Sequence, residues 1–331
     1  MSSPSDRGPA LNPPGWHLLA LASEVTKPVT GLALGSRALV AIRDRDSGKV
    51  RVFDGTCPHR GAHLGYGGRV TGRQSIVCPF HGKRIGLGEG TGRLCVREHE
   101  TIDCGGAIFV RLSDVPAPDR GFQRVIGDIL STCELVEAVI GEAKVPPELI
   151  IENAFDFSHF PAVHLIPRIS APKVWLGRDG ELNITTAFHT QAPDWETARG
   201  TFTSHFHARA FSPYLVVSEL GSGETSRFVI TGAAPGSAGC VARIAIAVRP
   251  GESAETVKAL VEGSKIAFTQ DLLVWDHLDL GAPTRLDGCD TPVVAFRAYC
   301  ATFTARRAEP EAGKDPQPPA RELAVPGRDR R

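Results

Sequence analysis

Long apolar runs, a net charge and clustered cysteines are all missing from this chain of 331 residues. No stretch approaches the ~18 to 20 consecutive apolar residues that cross a bilayer. The leader Met1–Trp16 carries a single Arg beside an Asp, with neither a basic start nor a cleavage site. A membrane partner is therefore not expected, and the cytoplasm is the expected location. Thirty-seven basic and 37 acidic side chains cancel to a formal charge of zero, removing the general attraction that nucleic acid would need. Eight cysteines (57, 78, 95, 104, 133, 240, 289 and 300) are too few and mostly too far apart for a disulfide scaffold. A reducing compartment, with a metal role for some of them, fits better.

What is present is enough apolar material, 42% of residues, for one large or two medium domains. Residues 1–14 and 305–331, rich in Pro, Ala, Gly and charge, are predicted to be disordered. From Trp16 to about Val115, short apolar runs (LVAIRD, VRVFDG, SIVCPF, AIFVRL) broken by Gly, Asp and Pro predict a small antiparallel β domain. The Pro, Asp and Gly cluster at 115–121 marks a boundary, dividing the ordered chain into 15–117 and 118–304. The second part has a helical patch near 148–160, then alternating segments from ELNITTAFHT to CVARIAIAV. A long helical stretch from about Glu252 to Leu280 and a last strand-like run, VVAFRAYCATFT, follow. This is an α+β pattern, with no internal repeat.

Cys57-Pro58-His59 is followed, eighteen residues on, by Cys78-Pro79-Phe80-His81. Each Pro- and Gly-punctuated turn thus offers one thiolate and one imidazole. Common zinc fingers draw both cysteines from one box and both histidines from the other. Mixed boxes suit instead a [2Fe-2S] centre with two thiolates on one iron and two imidazoles on the other, because crossing loops deliver each pair to opposite ends of the cluster. Neutral imidazoles remove negative charge and raise the potential above that of an all-Cys centre. A structural zinc knuckle is the competing reading. The other six cysteines read as small buried residues, and His63 and His99 as ordinary loop or strand residues.

The strings CPHRGAHLG and CPFHG resemble those of the Rieske oxygenases. Respiratory Rieske proteins are less similar, since they carry an extra disulfide-forming Cys in each box and a membrane anchor. Lys83-Arg84 stand where the family often places an aromatic residue. The resemblance implies an N-terminal all-β Rieske domain whose [2Fe-2S] cluster is bound by Cys57, His59, Cys78 and His81.

The thirteen residues from Glu152 to His164 hold an amide, a carboxylate and two imidazoles. Asn153, Asp156 and His159 recur every third position and are expected on one helix face. His164 would sit about 140° from His159 on a regular helix, and Pro161 is expected to break the helix and swing it back. A satisfied polar helix end competes with a metal site here. Two histidines leave a mononuclear iron one carboxylate short of the facial triad. In the long helix Val261, Ser264, Phe268, Asp271, Trp275 and Leu278 share one face, setting Asp271 on an apolar stripe where it needs a cation or a metal. An internal salt bridge to an Arg is the alternative. Asp276 and Asp279 lie off the stripe and are expected to be solvated. Along GTFTSHFHAR, the set Phe202, Ser204, Phe206 and Ala208 is expected to face inward, and His205 and His207 to face solvent.

N-x2-D-x2-H-x4-H, followed by Asp271 and Trp275, is similar to the iron motif of Rieske oxygenase terminal components. The stretch DGCDTPVVAFRAYCATF, with Pro292, Arg297 and Phe303, resembles the branch containing 3-ketosteroid 9α-hydroxylase, sterol 7-desaturases and saxitoxin-type tailoring oxygenases. The resemblance implies a catalytic domain in which an antiparallel sheet is gripped by a long C-terminal helix (helix-grip, START-like). It assigns mononuclear Fe(II) to His159, His164 and Asp271, with O2 as cosubstrate. It further implies a head-to-tail homotrimer in which Asp156, on the same stretch as Asn153, bridges a cluster histidine of one subunit to an iron histidine of the next. The residues alone leave Asp156 open as bridge or ligand. No GxGxxG or Walker loop is present, the Gly86, Gly88, Gly90, Gly92 series having the wrong spacing. NAD(P)H is therefore expected on a separate flavin reductase, with or without an intervening ferredoxin. The implied reaction is monooxygenation of a small organic molecule, by hydroxylation or by hydroxylation with loss of an O- or N-alkyl group. Desaturation or cis-dihydroxylation is the runner-up, and a non-catalytic electron carrier or ligand-binding protein the alternative of another class. Steroid or sterol substrates do not follow from the resemblance.

Overall fold

The computed structural model describes residues 13–112, 118–166, 168–191, 201–221 and 226–305. The expected disordered ends lie outside them except for Pro13, Pro14 and Ala305, as do residues 115–117 of the expected boundary. The N-terminal half is built of strands, with one 3-10 turn at Ala22–Glu24: β1 (Gly15–Leu21), β2 (Val29–Leu34), β3 (Arg37–Arg43), β4 (Val50–Asp54), β5 (Arg69–Val70), β6 (Ser75–Val77), β7 (Arg84–Leu87), β8 (Cys95–Val96), β9 (Glu98–Asp103) and β10 (Ala107–Leu112). They form a six-stranded sheet of order β1-β10-β9-β4-β3-β2 and a small sheet β5-β6-β7-β8. The period-2 alternation of β3 explains how the two meet. Leu39 and Ala41 enter a core with β1 and β10, whereas Val40 and Ile42 point the other way, into a core shared with Cys57 and Cys78.

The C-terminal half comprises α1 (Phe122–Leu130), β11 (Glu134–Ala143), α2 (Pro147–Glu152), α3 (His159–Val163), β12 (Arg168–Ile169), β13 (Lys173–Leu176), β14 (Leu182–Gln191), β15 (Thr201–Ser212), β16 (Leu215–Leu220), β17 (Arg227–Pro235), β18 (Cys240–Val248), α4 (Ala254–Trp275) and α5 (Thr291–Ala305). One antiparallel sheet runs β11-β18-β17-β16-β15-β14-β12, with β13 paired to β14. Its central strands are apolar on both faces. Val216, Val229 and Ile244 pack toward α2 and α4, while their neighbours Val217, Ile230 and Ala245 pack toward α1 and β1. That second core joins the two halves, since Trp16 and Phe109 from the first meet Phe122 and Phe211 from the second. Helix α4 begins at Ser253, whose side chain accepts from the Thr256 amide, and lies across β11 and β18. No described helix is long and apolar enough to cross a membrane.

Three expectations need correction. The run VVAFRAYCATFT is a helix, α5, so α4 is not the C-terminal helix. Its buried residues Val293, Phe296, Tyr299 and Phe303 recur every three or four positions, Asp287 and Asp290 cap the turn before it, and Pro292 sits in its first turn. The β-branched and aromatic content suggested a strand, but the period is helical. The patch near 148–160 is not one helix: α2 tightens into a 3-10 turn over Asn153–Phe155 and stops at Asp156. Leu278 lies beyond the end of α4 and is exposed.

Two glycines test this packing. A Cβ at Gly232 of β17 would lie 2.4 Å from Leu18 Cβ of β1, whereas one at Gly127 in α1 would meet nothing within 4 Å. Gly232→Val is expected to lower the free energy of unfolding by about 2 kcal/mol and Gly127→Ala to raise it by about 0.5–1 kcal/mol, both measured by urea denaturation. A second test uses His17, which is fully buried with Nε2 donating to the Pro13 carbonyl (2.9 Å). Burial pushes its pKa down to about 4 from 6.5. The unfolded chain takes up this proton first, so the contribution is intact above pH 6.5 and is lost as pH falls toward 4, by up to about 3 kcal/mol. Unfolding free energies between pH 7 and 4.5 should slope less steeply in His17→Gln.

Candidate metal centres

The first box follows β4 and the second joins β6 to β7, and the two repeat one backbone pattern. Cys57 N donates to Ala62 O (2.8 Å) and Gly61 N to Cys57 O (2.9 Å), while Cys78 N donates to Lys83 O (2.9 Å) and Gly82 N to Cys78 O (3.1 Å). Each loop closes on a glycine in the left-handed region, Gly61 at φ 76° and Gly82 at φ 64°, which a side chain would strain. The amides of His59 and Arg60 point at the Cys57 sulfur, and those of Phe80 and His81 at the Cys78 sulfur. Such donors stabilise thiolates and tune a cluster's potential. Both thiols are buried and in contact with each other. The two imidazoles lie edge to face with ring centroids 4.9 Å apart. His59 Nδ1 is buried without a partner among the described residues. Paired sulfurs, paired imidazoles and an orphaned ring nitrogen are what a [2Fe-2S] cluster of mixed ligation requires. His81 and Phe80 are exposed.

The histidines behave as expected near the cluster, with one addition. His63 sits in a loop, its Nδ1 accepting from the Gly65 amide. His99 is a buried strand residue paired through Nε2 with Asp54, which Arg37 also binds. Of the other six cysteines, Cys133 and Cys240 are buried, Cys95, Cys104 and Cys300 are partly buried, and Cys289 is exposed.

In the C-terminal half His159, His164 and Asp271 converge, their ligand atoms all within 4.8 Å of one another. Helix α3 does not break at Pro161 but runs on to Val163; a break upstream, at Asp156, sets off α3, and the departure from helical geometry that brings the two histidines together lies at His164. Asp156 takes an extended conformation (φ −94°, ψ 98°), its Oδ1 accepts from Ser158 N (3.0 Å), and α3 restarts at His159. Pro161 is the third residue of α3, where its missing donor has no partner to lose. His164 caps the other end outside helical geometry (φ −101°, ψ 3°), so the two rings reach a centroid separation of 5.1 Å. From α4, Asp271 Oδ1 lies 3.2 Å from His164 Nε2 and 3.9 Å from His159 Nε2. It faces histidines rather than an arginine. Burial holds the His159 pKa below its ordinary value, whereas the hydrogen bond to Asp271 lifts that of His164.

The remaining polar groups orient these rings. His164 Nδ1 donates to Gln270 Oε1 (2.9 Å), and His159 Nδ1 to the Asp156 carbonyl, which turns both Nε2 atoms toward Asp271. Asn153 Nδ2 lies 3.2 Å from His159 Nε2. The Asp156 carboxylate stays outside the convergent set, its Oδ2 3.9 Å from His159 Nδ1, and is about one-third exposed. Asn153, Asp156 and His159 therefore do not share one helix face. Asp279 is exposed as expected, whereas Asp276, just past the end of α4, is only partly exposed and accepts from the Lys144 amide (3.0 Å). Gln270 was not legible in the sequence; beside Asp271 on a helix it reads as one more polar residue, and only the position of His164 gives it a role.

A cavity of about 570 Å³ lies between α4 and the sheet and includes His159, His164 and Asp271 in its lining. Phe206 faces it and Ala208 is buried on the same side, as expected for that set, while the side chain of Phe202 lies outside the described residues. His205 is exposed, but His207 is not simply solvated: it bonds Asn183 Oδ1 (2.9 Å) and stacks on Trp175. A larger cleft of about 1110 Å³ beside residues 65–73 is lined by none of the candidate metal residues. Gln270→Leu removes the acceptor that orients His164. It is expected to weaken Fe(II) or Co(II) binding about 10- to 100-fold by competitive chelator titration, with the visible spectrum of the N-terminal domain unchanged.

Residues 15–103 match the Rieske [2Fe-2S] domain, and residues 129–303 match the 3-Ketosteroid 9alpha-hydroxylase C-terminal domain. The chain is 43% identical over 76 residues to cholesterol 7-desaturase nvd of Xenopus laevis, which is 22% of this chain and 16% of that protein. It is 24% identical over 173 residues to the glycine betaine monooxygenase oxygenase subunit of Chromohalobacter salexigens, 45% of this chain and 38% of that protein. The matched segments thus span well under half the length of these relatives. Among solved structures, dicamba monooxygenase bound to 3,6-dichlorosalicylic acid is similar at TM-score 0.67 and 18% identity, covering 89% of this chain and 98% of that one. Pseudomonas putida CBB5 NdmB is similar at TM-score 0.62 and 19% identity, covering 91% and 95%. The fold is shared throughout, and with both domain matches in place the chain belongs to the Rieske oxygenases, as a terminal component whose catalytic domain is of the 3-ketosteroid 9α-hydroxylase type.

Proposed function

We propose that this oxygenase uses dioxygen and reductase-derived electrons to monooxygenate a small organic molecule, by hydroxylation or oxidative demethylation. Cys57, His59, Cys78 and His81 hold the cluster in this reading, and His159, His164 and Asp271 hold a mononuclear Fe(II). The observation that carries it is the meeting of two imidazoles and one carboxylate at an apolar cavity, a donor set that fits iron and leaves coordination positions open. With both centres loaded, the iron supplies oxygen activation and the cluster supplies electrons. The chain's own residues then have separable tasks. Gln270 and the Asp156 carbonyl orient the two imidazoles, Asn153 packs against His159, and the walls between α4 and the sheet exclude water.

Asp156 is assigned the role of bridge in a homotrimer rather than that of ligand. Its carboxylate lies 3.9 Å from His159 Nδ1 and is partly exposed, which leaves it able to accept from an imidazole of a neighbouring subunit, and His81 is exposed on the cluster side. A separate flavin reductase, with or without a ferredoxin, delivers the electrons. The domains assigned are 15–117 for the cluster and 118–304 for catalysis, consistent with family matches over 15–103 and 129–303.

Purified protein is expected to hold about three irons per chain. His159→Ala should retain about two irons with an unchanged cluster spectrum, and should lose oxygen uptake with a surrogate reductase across a panel of candidate substrates. An Asp271→Ala variant with full iron content, or a zinc-filled colourless protein, refutes the ligand assignment. Asp156→Asn should keep the oligomer and all the iron but reoxidise its dithionite-reduced cluster slowly in a single turnover. Loss of mononuclear iron in that variant would make Asp156 a ligand instead.

A further inference from the structure

Three polar groups lining the cavity beside His159, His164 and Asp271 have no hydrogen-bond partner among the described residues: the indole N–H of Trp275 on α4 and two hydroxyls on the sheet. The other polar side chains of the cavity are engaged: Ser264 Oγ donates to the Leu260 carbonyl (3.0 Å), Gln270 accepts from His164 (2.9 Å), Asn153 contacts His159 and Asp271 contacts both histidines. Ser218 on β16 and Thr231 on β17 also line the cavity, and their hydroxyls meet no partner among the described residues. Ser218 is 9% exposed, and its hydroxyl opens on the cavity rather than into the packed core.

Strand register places the two hydroxyls together. Ser218 stands opposite Val229 and Thr231 opposite Val216, so all four side chains share the cavity face and the two hydroxyl residues are diagonal neighbours. Diagonal neighbours lie roughly 7 Å apart between backbones, and a hydroxyl donates over about 2.8 Å. One oxygen atom midway can therefore accept from both. Valine in place of either residue would pack the sheet equally well, and an unpaired hydroxyl in an apolar wall costs about 1–3 kcal/mol. No lysine or arginine lines the cavity among the described residues, so a carboxylate, sulfate or phosphate on the ligand would be buried without a counter-ion.

We propose that Ser218 and Thr231 form a two-donor anchor for a single neutral oxygen function, a carbonyl or a hydroxyl, on an otherwise apolar substrate, and thereby set which carbon faces His159, His164 and Asp271. The substrate class deepens the oxygenase reading and rests on it, but the anchor itself is a binding property and is measured without turnover.

The test is calorimetric titration of the holoenzyme with a matched set on one three-ring skeleton: 9-fluorenone, 9-fluorenol, fluorene and fluorene-9-carboxylate. The ketone and the alcohol should bind roughly tenfold or more tightly than the hydrocarbon, and the carboxylate should bind more weakly than the hydrocarbon. The ratio of ketone to alcohol tells which of the two functions the anchor prefers. In Ser218→Ala/Thr231→Val the preference over fluorene should vanish while fluorene affinity and mononuclear iron content stay at wild-type values. Thermal stability of the double variant should be unchanged or higher, because neither hydroxyl has a structural partner to lose. Equal binding of fluorene and fluorenone by the wild type, tighter binding of the carboxylate, no binding of any of the four, or a uniform loss in the double variant would each overturn the proposal. Failure of the oxygenase reading shows separately, as missing mononuclear iron in the wild type.

Discussion

A carboxylate on an apolar helix face is the constraint that organises the catalytic half. Asp271 stands on α4 between Phe268 and Trp275, both buried, where an ionised group without a partner would cost several kcal/mol. Its partners come from α3 and its C-terminal cap, more than a hundred residues earlier in the chain. The sheet must in turn bring α4 close, and Gly141 on β11 makes that possible: a Cβ there would sit 2.4 Å from the Phe268 ring. Helix α5 completes the frame from the far side. Arg297 binds Glu152 with two hydrogen bonds (2.7 and 2.8 Å), and Phe296 stacks on Phe155, fixing the segment that carries Asn153 and Asp156.

The cluster loops solve a different problem with a repeated unit. Two turns of the same backbone pattern, each closed by a glycine, present one sulfur and one imidazole apiece, and the second box differs by the single inserted Phe80 that moves its histidine one position on. The sulfurs sink into the core beneath β3 while the imidazoles stay near the surface. For the electron transfer proposed above, this polarity puts the imidazoles on the exposed side and keeps the two sulfurs buried.

Much of this was readable from residue spacing because the chemistry is local in sequence. The two Cys/His boxes lie in one short stretch between β4 and β7, and Asp271 betrayed itself as the one acid on an apolar stripe. What was illegible depended on competing local signals. The α5 segment is rich in Val, Phe, Tyr and Thr, and its strand-like composition hid a helical period that is plain once Val293, Phe296, Tyr299 and Phe303 are seen buried together. The proline at 161 drew attention from the departures at Asp156 and His164, which leave no comparable mark in the sequence. The partners of Gln270 and His207 arise from contacts 106 and 24 residues away, which no window along the chain contains.

The walls of the cavity also bear on how a turnover ends. Apart from the metal-candidate residues, two amides, three hydroxyls and the Trp275 indole N–H, they are hydrocarbon, with Phe160, Ile166, Phe188 and Leu260 among them. For the oxygenation proposed above, the product differs from the substrate by a more strongly hydrated group placed against those walls. Desolvating a new hydroxyl without a partner costs about 1–3 kcal/mol, which weakens retention by roughly 5- to 150-fold. The same dryness that admits the molecule thus expels it once it has been altered, so that departure is driven by the chemical change itself and calls for no dedicated release device.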